Sequence, residues 1–433
     1  MGKRRGALSV IRARILQPLR RRDFSLLVAG SVVSLLGDGF FFLALTWQVY
    51  SISNVPTAMA FVGAAWTLPS VLFLLLGGAL SDRFDRRRLM ISADLLRAGA
   101  IGAMAALSAA GVIELWHIAG LIALVGVGNA FFNPASTAIV PDLLPDDELP
   151  SANALAGMYR PLATRLIGPA IAGFVVAALG PAPAFAIDAA SFVASAVASA
   201  AIRSRPRPRP GTSLGVRQMA SEVTEGLRFA RATPWIWATL LSVMLSLLVF
   251  VGPMQVLMPF LVKNRLALGP EALGAIFAVG GVGSIGMAVL VGSLGLPRRR
   301  VTAMYAAWVT GVALTAVFGI MTALWQALLV SLVIHAAFEL GQIVWTTMLQ
   351  QLVPRDLLGR ISSFDWLVSS GLVPLSFALT GPVSGVLGPE TTIIAAGLLG
   401  AVLMGAMLFY PGVRDPERGR VAGSIPATAG SVE

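Results

Sequence analysis

The chain has 433 residues, 56% hydrophobic and only 12% charged, with a mean hydropathy of +0.81. Soluble globular chains carry about 25% charged residues, so this composition excludes a soluble enzyme or binding module and describes an integral membrane protein. The formal charge of +11 does not point to nucleic acid, because Lys and Arg gather in the N-terminal tail, alternate loops and the C-tail, the pattern that keeps basic segments cytoplasmic.

Cysteine is absent, which removes disulfides, thiol chemistry and cysteine-ligated metal, and no short apolar region with a cleavage site marks a removable signal peptide. Residues 1–23 read as a basic cytoplasmic tail ending in Arg20, Arg21 and Arg22. Six apolar runs follow, at about 24–50, 58–80, 89–110, 116–140, 151–179 and 184–202, each long enough to cross a bilayer. They make an N-terminal unit, 24–202. The first run holds Gly37, Asp38, Gly39 and then Phe40, Phe41 and Phe42. Between the second and third lies a short loop with Gly78, Asp82, Arg83, Asp85, Arg86, Arg87 and Arg88. The fourth carries Asn129, Asn133, Ser136 and Thr137 on one helical stripe. The fifth holds Arg160 and Arg165, read as intramembrane arginines, and Gly168, Pro169 and Gly173.

Residues 203–234 are a cytoplasmic joint: an Arg-Pro run that favours extended chain, then Val216, Met219, Val223, Leu227 and Ala230 at the spacing of an amphipathic helix on the membrane face. Six further apolar runs occupy 235–410, and a polar cytoplasmic tail, 411–433, reads as disordered. Sliding the chain by 213 residues places Val140-Pro141 on Val353-Pro354, Gly168-Pro169 on Gly381-Pro382, and Gly128, Asn129, Asn133 and Thr137 on Gly341, Gln342, Thr346 and Gln350. The halves are therefore repeats. On the tenth run His335, Glu339, Gln342, Thr346 and Gln350 form one polar stripe. Trp345 lies beside it, and the seventh run offers Met254 and Gln255.

The loop Gly78–Arg88 resembles the signature between helices 2 and 3 of the major facilitator superfamily (MFS), with Asp85 where the pattern has Gly. Gly168, Pro169 and Gly173 resemble the fifth-helix signature of MFS antiporters, with Ala172 replacing one glycine. The arginine that the family places on the fourth helix is missing: Ile122 and Ala123 occupy that region. The resemblance covers about residues 20–410 and is strongest to bacterial drug exporters and the enterobactin-type siderophore exporter. It implies an all-α fold of twelve transmembrane helices in two six-helix bundles, monomeric, multi-pass in the bacterial cytoplasmic membrane with both termini cytoplasmic. It implies no cofactor, with a proton gradient as the energy source. The implied activity is proton-coupled efflux of amphipathic small molecules, with no nucleic-acid partner and the lipid bilayer as surroundings. Gly78, Asp82, Arg83, Arg86 and Arg87 would latch the halves on the cytoplasmic side.

Within that frame Asp38 and Glu339, each about 20 Å into its helix, are the expected proton carriers, with His335 tuning and Arg165 as counter-ion. The competing reading of Asp38 is a backbone hydrogen bond at a close helix contact, and that of Glu339 is a structural ion pair with a basic group such as Arg165. Arg160 is expected to pair with Asp94 or an inner gate, and Asp365 to join that gate. Asp188 reads as structural. Phe42, Asn129, Asn133, Met254, Gln255, Gln342, Trp345 and Thr346 are the expected substrate contacts. The rival transport readings are an importer, a uniporter or a lysophospholipid flippase. A polytopic membrane enzyme is disfavoured, since no metal cluster, nucleophile–base pair or phosphate loop is present among only two histidines.

Overall fold

The computed structural model describes residues 16–145, 147–203 and 227–419. Its described residues contain 12 helices long and apolar enough to cross a membrane. These spans are, in order, Arg22–Ile52, Pro56–Leu74, Arg86–Ala109, Leu115–Leu143, Leu149–Leu179, Pro181–Ala200, Pro234–Asn264, Pro270–Leu294, Arg300–Gly319, Leu324–Leu352, Phe364–Leu387 and Pro389–Phe409. Each coincides with a predicted run. Local chemistry sets the ends: Pro begins spans 2, 6, 7, 8 and 12, where its missing N–H costs nothing. Gly180 and Gly388, at φ of 80° and 81°, end spans 5 and 11 immediately before Pro181 and Pro389. Asp85, the departure from the family loop, is the N-cap of span 3 and accepts a hydrogen bond from the Arg87 backbone N–H at 2.9 Å.

The repeat read from the sequence is also a repeat of contacts. Gly39 of span 1 meets Gly168 of span 5, where an added Cβ would lie 2.7 Å from the Gly168 Cα. Its counterpart 213 residues on, Gly252 of span 7, meets Ser376 of span 11, with an added Cβ 2.3 Å from the carbonyl oxygen. Likewise Gly128 of span 4 packs on Arg97 of span 3, and Gly341 of span 10 packs on Trp308 of span 9.

The halves meet along spans 2 and 11 and along spans 5 and 8. At the end away from the chain termini they share one apolar core, with Leu45, Val49, Tyr50 and Met59 packed with Val256, Leu257, Leu261 and Phe377. Polar ties reinforce it: the Tyr50 hydroxyl donates to the Val256 carbonyl at 2.5 Å, and Asn54 and Asn264 exchange amide hydrogen bonds at 2.6 and 3.2 Å. At the end bearing the termini the cores separate. Phe24, Met90, Ile139 and Ile202 belong to one, and Trp235, Met304, Met348 and Val413 to the other. The molecule is thus sealed at one end and parted at the other.

Of the residues expected to latch the halves, Arg86 and Arg87 are both engaged. Arg86 binds Asp142 at 2.5 Å and the Ala138 carbonyl at 2.9 Å, and Arg87 binds the carbonyls of Ser199 and Ala200. Every one of these partners is in the N-terminal half. The side chains of Asp82 and Arg83 lie outside the described residues. A Cβ added to Gly78 would meet nothing within 4 Å, whereas one added to Gly77 would lie 2.0 Å from the Ala130 carbonyl oxygen. The expected disorder of the tail is corrected for its first residues: Val413 is buried, and the Glu417 carboxylate accepts from the Thr302 backbone N–H at 2.6 Å and from the Thr302 hydroxyl at 3.0 Å. The amphipathic helix expected in the joint falls largely outside the described residues.

Arg21 grips Glu148 with two hydrogen bonds of 2.9 Å, tying the start of span 1 to the start of span 5. Those bonds hold the Glu148 carboxyl below its ordinary value of 4.5. A depressed carboxyl contributes stability above its unfolded pKa and loses it as pH falls through the folded pKa. The melting-temperature gap between wild type and Glu148→Gln is therefore expected to be constant at neutral pH and to close as pH drops below 4.5. The sealed end makes a second prediction. In this cysteine-free chain, Asn54→Cys with Asn264→Cys should cross-link readily. Adding Gly274→Val, whose Cβ would press on the Pro169 carbonyl oxygen at 2.7 Å, should slow that cross-linking several-fold. Equal rates would show that the seam does not govern closure.

Candidate functional site

Two adjoining cavities lie between the halves, midway along the spans. One, of about 220 Å³, is lined by Asp38, Gly39, Phe42, Leu43, Thr164, Arg165, Pro169, Phe277 and His335. The other, of about 380 Å³, is lined by Phe42, Phe250, Met254, Gln255, Met258, Phe277, Ile334, His335 and Phe338. Phe42, Phe277 and His335 wall both, so they are lobes of one chamber. Phe42 of span 1 and Phe277 of span 8 stack edge to face at 5.5 Å across the boundary between halves. One lobe is charged and the other is apolar and thioether-rich.

Span 5 delivers Arg165 through a local defect. Pro169 has no N–H for the Arg165 carbonyl, and the chain passes through a π-turn at Leu162–Ile167. The absent side chain of Gly281 lets span 8 press on that carbonyl, with an added Cβ 2.6 Å from its oxygen. The guanidinium then reaches across the boundary. It donates to the Ser284 hydroxyl at 3.2 Å and to Glu339 of span 10 at 3.3 Å. Ser284 in turn donates to the His335 carbonyl at 3.3 Å, and His335 Nδ1 lies 2.9 Å from the Ser331 carbonyl oxygen. Arg165 is about half exposed and Glu339 one-fifth exposed, so the pair is reached by solvent.

Asp38, midway along its 31-residue helix, faces the charged lobe. On its other side is a group that the sequence reading missed. Arg97, inside span 3, pairs with Asp94, and its Nη1 donates to Asn129 at 3.0 Å. Its guanidinium carbon lies 4.2 Å from the ring centres of both Phe132 and Phe192. Arg160 and Arg165 were read as the intramembrane arginines, and Arg97 joins them. The signal was present: an Arg three residues after an Asp in an apolar run is an ion-pair spacing.

Of the expected residues, the structure gathers Asp38, Arg165, His335 and Glu339 at one place, with Phe42, Met254 and Gln255 on the same chamber. Asn133 on span 4, and Gln342 and Thr346 on span 10, are exposed and are not among the residues that wall the two cavities. Asn129 is turned to Arg97 instead. Trp345 is corrected: it is 3% exposed, donates to Asp365 at 3.2 Å and stacks on Trp235, so it packs the C-terminal half rather than lining the chamber. Asp365 is thereby bound to Trp345, and Asp94 pairs with Arg97 rather than Arg160. Gly168 and Gly173 mark helix contacts, with Gly39 and Gly274 respectively. No cluster of metal-binding side chains occurs among the described residues.

Residues 13–418 match the transmembrane secretion effector family, MFS_3. The chain is 28% identical over 409 residues to the multidrug efflux pump Tap of Mycolicibacterium fortuitum, covering 92% of this chain and 97% of that protein. It is 21% identical over 374 residues to macrolide efflux protein A of Streptococcus pyogenes, covering 86% and 91%. Among solved structures it resembles a bacterial homologue of the iron transporter ferroportin in its inward-facing state, with a TM-score of 0.62 and 19% identity over 90% of this chain and 99% of that one. A 12-span fold duplicated about a central chamber, matched along nearly its whole length by one family, identifies this chain as a member of the transmembrane secretion effector family of MFS transporters.

Proposed function

We propose that this protein is a proton-coupled exporter of amphipathic small molecules, working by alternating access in the bacterial cytoplasmic membrane with both termini cytoplasmic. The observation that carries the reading is the Arg165–Glu339 pair, which spans the two halves beside a chamber containing Asp38 and His335. Basic residues at the parted end favour placing that end in the cytoplasm. The efflux proteins named above supply the direction of transport.

The geometry suggests how coupling arises. With Glu339 ionised and the chamber empty, the pair ties span 5 to span 10 and holds the parted conformer. An ion pair this exposed is worth about 0.2–1 kcal/mol, enough to bias an equilibrium and weak enough to release. A proton on Glu339 removes its charge, and a bound substrate can displace the contact. Either event removes that bias toward the parted conformer, so the empty, deprotonated carrier rocks less readily than the protonated or loaded one. That is the rule antiport needs, since a carrier that turns over empty and unprotonated would leak its driving force. Asp38, on the opposite wall, is the second exchanging group. The apolar lobe takes the hydrophobic body of the substrate: Phe42, Phe250, Phe277 and Phe338 offer flat faces, and Met254 and Met258 repack around different shapes. Gln255 and His335 are the polar contacts.

Everted vesicles loaded by an imposed pH gradient test this. Wild type should exchange protons when a fluorescent amphipathic substrate is added, whereas Glu339→Gln and Asp38→Asn should bind the substrate yet lose gradient-driven accumulation. Normal accumulation in both variants would remove proton coupling from these carboxylates. Loading in the opposite direction would favour an importer. Phe277→Ala should weaken substrate binding by about 1 kcal/mol, roughly fivefold in affinity, through loss of the edge-to-face pair and its apolar area. Equilibrium binding to purified protein reads this directly.

A further inference from the structure

Behind Asp38, on the side away from the chamber, spans 3 and 6 bury three more ionisable groups. Asp94, Arg97 and Asp188 are 0%, 4% and 0% exposed. The single cation among them is already paired with a carboxylate, with Arg97 Nε and Asp94 Oδ2 left without hydrogen bonds. Arg97 pairs with Asp94, bonds Asn129 and is sandwiched by two aromatic rings. Asp188 has no cation of its own. The Ser191 hydroxyl lies 3.2 Å from its Oδ1, while Oδ2 is buried without any hydrogen-bond partner. Span 1 comes down on it where Gly37 has no side chain, and an added Cβ there would lie 2.4 Å from Oδ1. That contact puts Asp188 next to Asp38. Among the described residues, the charged groups facing Asp188 are Asp38 from span 1 and Arg97 from span 3, with Asp94 beyond Arg97.

Three carboxylates and one arginine thus share one buried helix interface. Neighbouring carboxylates cannot both ionise cheaply, and a buried one with no partner is held in its neutral form. Asp38 touches the chamber and can exchange with its water, but Asp188 has no such access. We propose that Asp188 is a proton-binding site of the N-terminal half that keeps its proton while Asp38 gains and loses one. Protonation turns Oδ2 from an acceptor lacking a donor into a neutral hydroxyl and leaves Asp94 as the sole counter-charge of Arg97. Asp38 is then the one group in this half that changes charge on exchange with the chamber. That last role rests on the proton-coupled reading given above, while the occupancy of Asp188 does not.

Infrared absorption spectra of the purified, substrate-free protein, with each variant subtracted from wild type at the same pH, test the site directly. Wild type should show a protonated-carboxyl C=O band that persists at mildly alkaline pH. Asp188→Asn should fold, because the amide is a close mimic of the neutral acid, and should lack that band. Asp38→Asn should retain it and lose a different, pH-dependent component. Absence of a persistent band in wild type, or its survival in Asp188→Asn, overturns the proposal. So does collapse of the Asp188→Asn fold, the result expected if an ionised Asp188 were needed by Arg97. A band that titrates together with that of Asp38 would also overturn it, by showing a shared proton. The spectra require no transport, so a failure of proton-driven export in vesicles would leave the Asp188 result standing.

Discussion

The seam between spans 5 and 8 is the contact on which the rest of the arrangement depends. Gly173 and Gly274 lie backbone against backbone, and Gly281 lies on the Arg165 carbonyl. Hydrocarbon offers no hydrophobic drive for two helices to associate, so close approach of small residues supplies the attraction through dispersion and fit. The same approach has an electrical result. It carries a guanidinium from the N-terminal half to within hydrogen-bond distance of a serine and a glutamate in the C-terminal half. A side chain on Gly281 would push span 8 away and leave Arg165 without its partner. Packing and charge are therefore one constraint at this seam.

The two groups of ionisable residues obey different physics. Arg165 and Glu339 stand in the solvent-reached part of the boundary, where their attraction is small and reversible. Arg97, Asp94 and Asp188 are enclosed within one half, where breaking a pair would strand a bare charge at far greater cost. The first kind can serve a moving boundary, and the second serves to fix three helices in register. Asp38 belongs to both, since one side faces the chamber and the other faces the enclosed group.

Much of this was legible in the sequence because a bilayer leaves few choices. A run of about 20 apolar residues must be a helix, and each predicted span was found. The repeat was legible because glycine contacts recur with the fold: Gly39 and Gly252 do the same work 213 residues apart. Stripe arithmetic placed Glu339 and His335 on a shared face, and the deep position of Arg165 made it a reasonable partner. The chamber walls were less legible. Phe277 reads as one more apolar residue in a glycine-rich span, and only the inter-half stack reveals it. Trp345 adjoins a polar stripe in sequence, yet one residue is about 100° around a helix, which turns it into the core. Arg97 is hard to single out because Asp94 has several arginines to choose from in the sequence, and the fold pairs it with the one a single turn away.

The missing arginine of span 4 draws these points together. The sequence lacks that cation, and alone this argues against a charge relay near the fourth helix. In the folded protein span 3 supplies a guanidinium that reaches span 4 through Asn129 and lies between rings from spans 4 and 6. Gly128 permits it: an added Cβ there would lie 2.6 Å from the Arg97 side chain. A positive charge is thus present beside Asp38 although it comes from a different helix. What a membrane protein must conserve in its interior is the position of a charge relative to its partners. A helix pair with a glycine on one side and a long side chain on the other can deliver that charge from either direction.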